Sequence, residues 1–147
     1  MAHLRKQIRD NIITAVTGLT TTGTKVFNHR AYPLGSNKLP GICVYTQDES
    51  TVYQSISPPR SVMRTLTVVI EAYVKATSGY DDIIDQIALE VEEAVTADVT
   101  RGGLAKDTRV TGFTSEVSAD GEQPACVGII QLQVIYCMAE NDPETSV

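Results

Sequence analysis

The chain has 147 residues, 42% of them hydrophobic, 20% charged and 5% aromatic, with no Trp, which suits one globular domain with a sizeable core and excludes a disordered segment. A formal net charge of −6 argues against a protein whose main work is gripping nucleic-acid phosphates, and the few aromatics argue against base stacking. No apolar run approaches the roughly 18 residues a membrane helix needs, and Met1-Ala2-His3-Leu4-Arg5-Lys6 does not open a signal-peptide core.

The net charge conceals an asymmetry. Residues 1–40 hold six basic residues against Asp10 alone, a balance of +5, whereas residues 41–147 hold six basic and 17 acidic residues, a balance of −11. Such a split suits complementary faces that meet between copies of the chain. Three cysteines, Cys43, Cys126 and Cys137, lack CxxC spacing and sit in apolar runs. They read as structural thiols in a reducing cytoplasm.

Leu4, Ile8, Ile12, Ala15 and Leu19 recur every three or four residues opposite Arg5, Lys6, Arg9 and Asp10, so the spacing predicts an amphipathic helix stopped near Gly18. A short strand over Lys25 to His29 follows, then a loop from Tyr32-Pro33 to Leu39-Pro40, then a buried strand over Gly41 to Thr46. Residues 47–61 are polar and end in Ser57-Pro58-Pro59-Arg60, which predicts a long loop with room for a short edge hairpin around Thr51-Val52-Tyr53. From Ser61 the period is two: Val62, Leu66, Val68, Ile70, Ala72 and Val74 share one face, and Thr65, Thr67, Val69, Glu71 and Tyr73 the other.

Ser78 is placed to cap a second helix, with Asp81, Asp82 and Asp85 at its positive end. Its apolar stripe is Ile83, Ile84, Ile87, Val91, Ala94 and Val95, leaving Glu90, Glu92 and Glu93 to water. Arg101-Gly102-Gly103 breaks the chain. A polar strand over about 104–118 (Thr108, Val110, Gly112, Thr114, Glu116) and one over 125–138, apolar on the face Ile130, Leu132, Val134, Tyr136, Met138, flank an Asp120-Gly121 turn, a long antiparallel hairpin. The expected architecture is α+β, a mainly antiparallel sheet with both helices on one face, in the order α-β-β-β-α-β-β. The domain spans 1–138, and 139–147 is expected to be a flexible acidic tail.

Chemistry-bearing constellations are sparse. His3 and His29 have no metal-ligand spacing. Cys43 with His29 makes a poor nucleophile and base, because an apolar strand disfavours the thiolate. Asp81, Asp82 and Asp85 read as a helix-start device. Thr22-Gly23-Thr24-Lys25 lacks phosphate-loop spacing and leads into a strand. No Gly-x-Ser-x-Gly elbow occurs. The expectation is a non-enzyme with no cofactor and no metal, whose surface is built for partners. The 47–61 loop is long for a compact domain, and such loops are usually functional or disordered.

The chain resembles the tail terminator proteins of long-tailed bacteriophages, the lambda-type minor tail protein U group. The resemblance runs through Leu4-Arg5-Lys6-Gln7-Ile8-Arg9, Val26-Phe27-Asn28-His29-Arg30-Ala31-Tyr32-Pro33, Leu39-Pro40-Gly41-Ile42-Cys43-Val44-Tyr45-Thr46 and the opening Gln47-Asp48-Glu49-Ser50. The strand from Arg64 to Val74, the helix from Asp81 to Val95 and the last strand from Ile129 to Met138 follow in the family's order. The 99–123 region and the acidic tail have no matching feature.

The resemblance implies a structural virion protein assembled in the host cytoplasm. Its copies form a ring, a hexamer in the family, that caps the tail tube and offers the surface for head attachment. The partners implied are other copies of the chain, the major tail tube protein and a head-completion or neck protein; there is no membrane partner, and DNA is met only in passage. Beside it stand another neck component, a tail tube protein and a small cytoplasmic ligand-binding domain. Arg5, Lys6 and Arg9 are expected to meet acidic residues of the next subunit such as Glu90 or Glu93. Tyr53, Ile56, Arg60 and Arg64 are expected to contact tube or neck.

Overall fold

The structure, a computed structural model, describes residues 2–28, 40–75, 79–118 and 125–147. Helix α1 (Leu4–Val16) buries Leu4, Ile8, Ile12 and Val16, an unbroken i, i+4 row. It ends at Thr17, before Gly18 at φ 89°. Strand β1 (Val26–Phe27) is brief. Strands β2 (Gly41–Tyr53) and β3 (Ser61–Lys75) form one long antiparallel hairpin, and helix α2 (Tyr80–Thr96) follows. Strands β4 (Asp107–Ser118) and β5 (Ala125–Ala139) make the second hairpin, and β6 (Asp142–Ser146) ends the chain.

Among the described residues the sheet has six strands in the order β1-β2-β3-β5-β4, with β6 beside β5. Only the β1–β2 pair is parallel. Both helices lie on one face, where the rows from α1 and α2 meet Ile42, Val44, Leu66, Val68, Ile70, Leu132 and Val134 in a single apolar core. The α+β class, the antiparallel sheet and the shared helix face are as the sequence predicts.

Four expectations change. Residues 47–53 are strand rather than loop: β2 continues to Tyr53, because β3 supplies a full ladder from Asp48↔Thr67 to Tyr53↔Val62. The connection shrinks to 54–60, closed by Gln54 N–H to the Ser61 carbonyl at 2.7 Å. The acidic end is not a fraying tail. Residues Asp142–Ser146 pair with β5, and Val147 N–H donates to the Cys137 carbonyl at 3.0 Å, so backbone ladder bonds hold the segment despite its polar sequence.

Third, Gly79 occupies the residue before α2 at φ 72°, a conformation that favours glycine; Ser78 lies outside the described residues, as do His29, the 32–39 part of the expected loop and the Asp120-Gly121 turn. Fourth, a register shift between Val110 and Gly112 reverses the phase of β4, so Phe113 and Val117 share the helix face with Thr108 and Val110, while Gly112, Thr114 and Glu116 take the other. Cys43 and Cys126 are buried, Cys137 is half-buried, and the three form no disulfide.

Candidate functional site

The two hairpins point opposite ways along the sheet. The β3 end at Ser61 pairs with Ala139, and its other end at Lys75 pairs with Ala125. The 54–60 turn therefore sits at one end of the molecule, and the end of β4 with the start of β5 at the other. At the 54–60 end the surface is unusually apolar: Val52, Tyr53 and Ile56 are 54%, 59% and 91% exposed. Tyr53, Ser55, Ile56 and Arg60 line an open recess there. The Arg60 guanidinium lies 5.9 Å from the Tyr53 ring centroid, within cation–π range, and pairs with Glu140 Oε1 at 3.2 Å. Glu140 also accepts from Arg60 N–H, which ties the turn to the end of β5.

Beneath the tip half of this hairpin lies a charged knot. Glu49, with a side chain 9% exposed, is on the helix side of the sheet opposite Leu66. Its carboxylate accepts from Arg5 Nη1 at 2.5 Å and from the Tyr136 hydroxyl, with Arg64 Nη1 at 3.6 Å. Two cations and a phenol compensate the buried charge that would otherwise be costly. Burial first, then the bond to Glu49, pushes the Tyr136 phenol up to about 12.

His3 completes the knot. Its Nδ1 accepts from Arg5 N–H at 3.0 Å and so caps α1, while Nε2 stands 3.3 Å from Arg64 Nη1. A neutral imidazole has one lone pair for these two donors, and an imidazolium has none. Burial, then the charges of Arg5 and Arg64, hold the His3 pKa below its ordinary value, against the opposing pull of Glu49. A base whose folded pKa is depressed binds fewer protons folded than unfolded, so stability rises with pH through that window. We expect thermal stability to be full above about pH 6.5, the ordinary His value, and to fall as pH drops from there through the lower folded pKa. His3→Asn, a capping residue that does not titrate, should flatten that segment of a melting-temperature profile against pH. An unchanged slope would show that the acid sensitivity lies elsewhere.

The residues expected at a subunit contact are distributed unevenly. Arg5 is engaged by Glu49 of its own chain, and Arg64 lies in the same knot. Lys6 is exposed and pairs with Asp10 one turn on, at 2.6 Å. Arg9 Nη1 reaches Thr46 Oγ1 at 3.5 Å. Glu90 does not simply face water: it accepts from Thr21 N–H at 3.0 Å and Thr21 Oγ1 at 2.6 Å, pinning the loop after α1 to α2. Those bonds lower its pKa, against a raising effect of burial that is the largest single influence. Glu93 is exposed beside Gly18, Leu19 and Thr20. The structure thus gathers Tyr53, Ile56 and Arg60 into one patch, sets Arg64 beneath it, and leaves Glu90 and Glu93 on the far helix.

Sequence reasoning missed Glu49, His3, Tyr136 and Glu140 as members of this region. No local signal marks Glu49, because its partners lie 44 and 87 positions away along the chain. The other face of the sheet carries a second carboxylate, Glu71, which accepts from the Tyr45 hydroxyl at 2.6 Å and from the Tyr73 hydroxyl. Burial and that bond push the Tyr73 phenol well up. Among the described residues no group of three or more His, Cys, Asp or Glu is placed to hold a metal ion, and no helix is long and apolar enough to cross a membrane.

No family model matches the chain, and no curated protein does. Among solved structures, a chain from the virion of the native gene transfer agent (GTA) particle is similar over 90% of this chain and 92% of that one. The identity is 14% and the TM-score 0.34, a likeness too low to carry an argument.

Proposed function

We propose that the chain is a structural subunit of a phage-like tail. Its copies form a ring, a hexamer, that caps the tail tube, ends tail polymerisation and presents the surface to which the head joins. The observation that carries the reading is the β2–β3 hairpin. Its tip offers Tyr53 and Ile56 to solvent around one recess, with Val52 exposed on the opposite face, and exposed apolar side chains at the end of a braced hairpin suit a protein contact better than open water. Glu49, Arg5 and Arg64 brace the hairpin near its tip, and Arg60 with Glu140 ties its turn. The resemblance to tail terminators in the order of helices and strands supports the same conclusion, and so does the split of charge between the N-terminal part and the remainder.

In this reading Tyr53, Ile56 and Arg60 contact the tube or the neck, and Lys6 and Arg9 serve the contact between copies. Mass measurement in solution with negative-stain imaging, on the chain alone and with purified tail tubes, tests it. Rings that sit on tube ends are expected. Tyr53→Asp with Ile56→Asp, both at exposed positions, should leave the unfolding free energy within about 0.5 kcal/mol of the parent while reducing tube capping at least about tenfold, the scale of losing one apolar anchor. Tails of normal length with heads attached, made with the double variant, would remove the assigned role of the tip. A chain that neither forms rings nor binds tube ends would remove the function.

A further inference from the structure

The sheet ends in two strands whose outer edges carry no strand partner among the described residues. One is β4 along its length; the other is β2 from Thr46 to Tyr53, past Ile42 and Cys43, which β1 covers. Long open edges of this kind are templates for pairing with another chain unless something blunts them. Here three successive antiparallel steps, β2 to β3 to β5 to β4, leave the two outer strands running in opposite directions. A second copy set beside the first in the same orientation therefore brings its β2 antiparallel to β4, and the sheet continues from one molecule into the next.

The helices give the two edges opposite charge. Helix α2 turns Ile84, Ile87, Val91 and Val95 into the core. At about 100° per residue, Glu90 and Ala94 fall on the flank that meets Thr21, while Asp81, Asp85 and Glu92 fall on the opposite flank, toward β4. Helix α1 sets Arg5 and Arg9 on the side of β2, where they reach Glu49 and Thr46, with Lys6 exposed beside them. Each open edge also carries exposed apolar side chains: Phe113 and Val117 at 46% and 49% on β4, and Val52 and Tyr53 on β2. Register shifts at Thr46/Asp48 and Val110/Gly112 bend each edge locally, which narrows the strands that fit it.

We propose that a second copy of this chain occupies the β4 edge through its own β2, Thr46 to Tyr53, with Lys6 and Arg9 of the incoming copy opposite Asp85 and Glu92. The contact is head-to-tail, so repetition closes a ring or extends a filament. The inference rests on the ring reading above and names its interface, and it moves the acidic side of that interface from Glu90, which is committed to Thr21, to the other flank of α2.

Cross-linking tests it. Asp48→Cys and Arg109→Cys place thiols on the face away from the helices, one on each edge and level with one another across the sheet, in a Cys137→Ser background. With a short bismaleimide the double variant should give a ladder of dimers and higher species that neither single variant gives. Dimers from a single variant, or oligomers of unchanged mass without cross-links, would overturn the edge contact and leave the ring. A monomer at every concentration, and on tubes, would overturn both. As a second arm, Asp85→Lys with Glu92→Lys should weaken association at least about tenfold through like-charge opposition. Mixing with the Lys6→Glu, Arg9→Glu chain should restore it, whereas unchanged association on reversal would overturn the charge pairing.

Discussion

Glu49→Ala should destabilise the fold by about 2–4 kcal/mol, near the lower part of the range for breaking a buried ion pair. The change leaves Arg64 without its carboxylate, deprives the Tyr136 hydroxyl of its acceptor and releases Arg5 at the start of α1. The value is discounted because the Arg5 and Arg64 side chains are 42% and 22% exposed, so water repays part of the loss. Glu49→Gln keeps an acceptor for Tyr136 and should cost about half as much. Urea unfolding reads both, as a shift of midpoint at constant slope. A loss below about 0.5 kcal/mol for the alanine variant would show that the knot is electrostatically neutral in net effect. The knot also joins α1 to the tip half of the β2–β3 hairpin, so its failure should loosen the turn on which the proposed tube contact stands.

The second large effect is expected at Arg101. This residue is 1% exposed, the largest of the fully buried side chains. Its Nη2 donates to the carbonyls of Val95 and Asp98, closing the C-terminal end of α2, where a cation also meets the favourable end of the helix dipole. Two features oppose this gain. Arg101 adopts φ 53°, which is strained for a residue with a Cβ, and its buried Nε and Nη1 meet no hydrogen-bond acceptor among the described residues. Burial accordingly lowers its pKa, against the favourable charge of Asp98.

Arg101→Ala keeps the strain, uncovers the carbonyls of Val95 and Asp98 and empties a buried volume, which should cost about 2–4 kcal/mol. Arg101→Gly loses the same contacts but releases the backbone, so it should recover about 1 kcal/mol of that. Comparing the two by thermal or urea unfolding separates strain from contact. Equal losses would show that the left-handed conformation carries no penalty here.

Arg101 and Glu49 also show where reading the sequence stops. Arg101-Gly102-Gly103 is recognisable as the end of a helix, but nothing local marks its arginine as buried. Its burial depends on a backbone conformation that folds the side chain back under α2. Glu49 sits in a polar run, Gln47-Asp48-Glu49-Ser50-Thr51, that has neither the alternation nor the composition of a strand. Those residues pair because β3 already presents Val62 to Thr67 as a template, and a long-range partner outweighs weak local preference.

Lys6 and Arg9 were recognisable as an exposed basic face, and Tyr53, Ile56 and Arg60 as a cluster in a segment with room for partners. That Arg5 and Arg64 are taken up inside the chain, and that Glu90 holds the loop after α1, depends on contacts between elements far apart in sequence.

By itself the sequence determined the elements whose signal is periodic: the i, i+4 row of α1, the alternation of β3, the apolar stripe of α2 and the phase of β5. With these come the α+β class and the common side on which both helices lie, since one apolar face per element leaves a single way to bury them all. The tertiary structure alone decided the phase of the polar strands. The register shift between Thr46 and Asp48 advances β2 by one residue, and with a period of two that step carries Glu49 from the open face to the helix side. The shift between Val110 and Gly112 does the same for Phe113 and Val117. Where apolar residues alternate, burial fixes the phase of a strand. Where they do not, the partner strand fixes it, and the residues that brace the hairpin tip and line the open edge lie in those stretches.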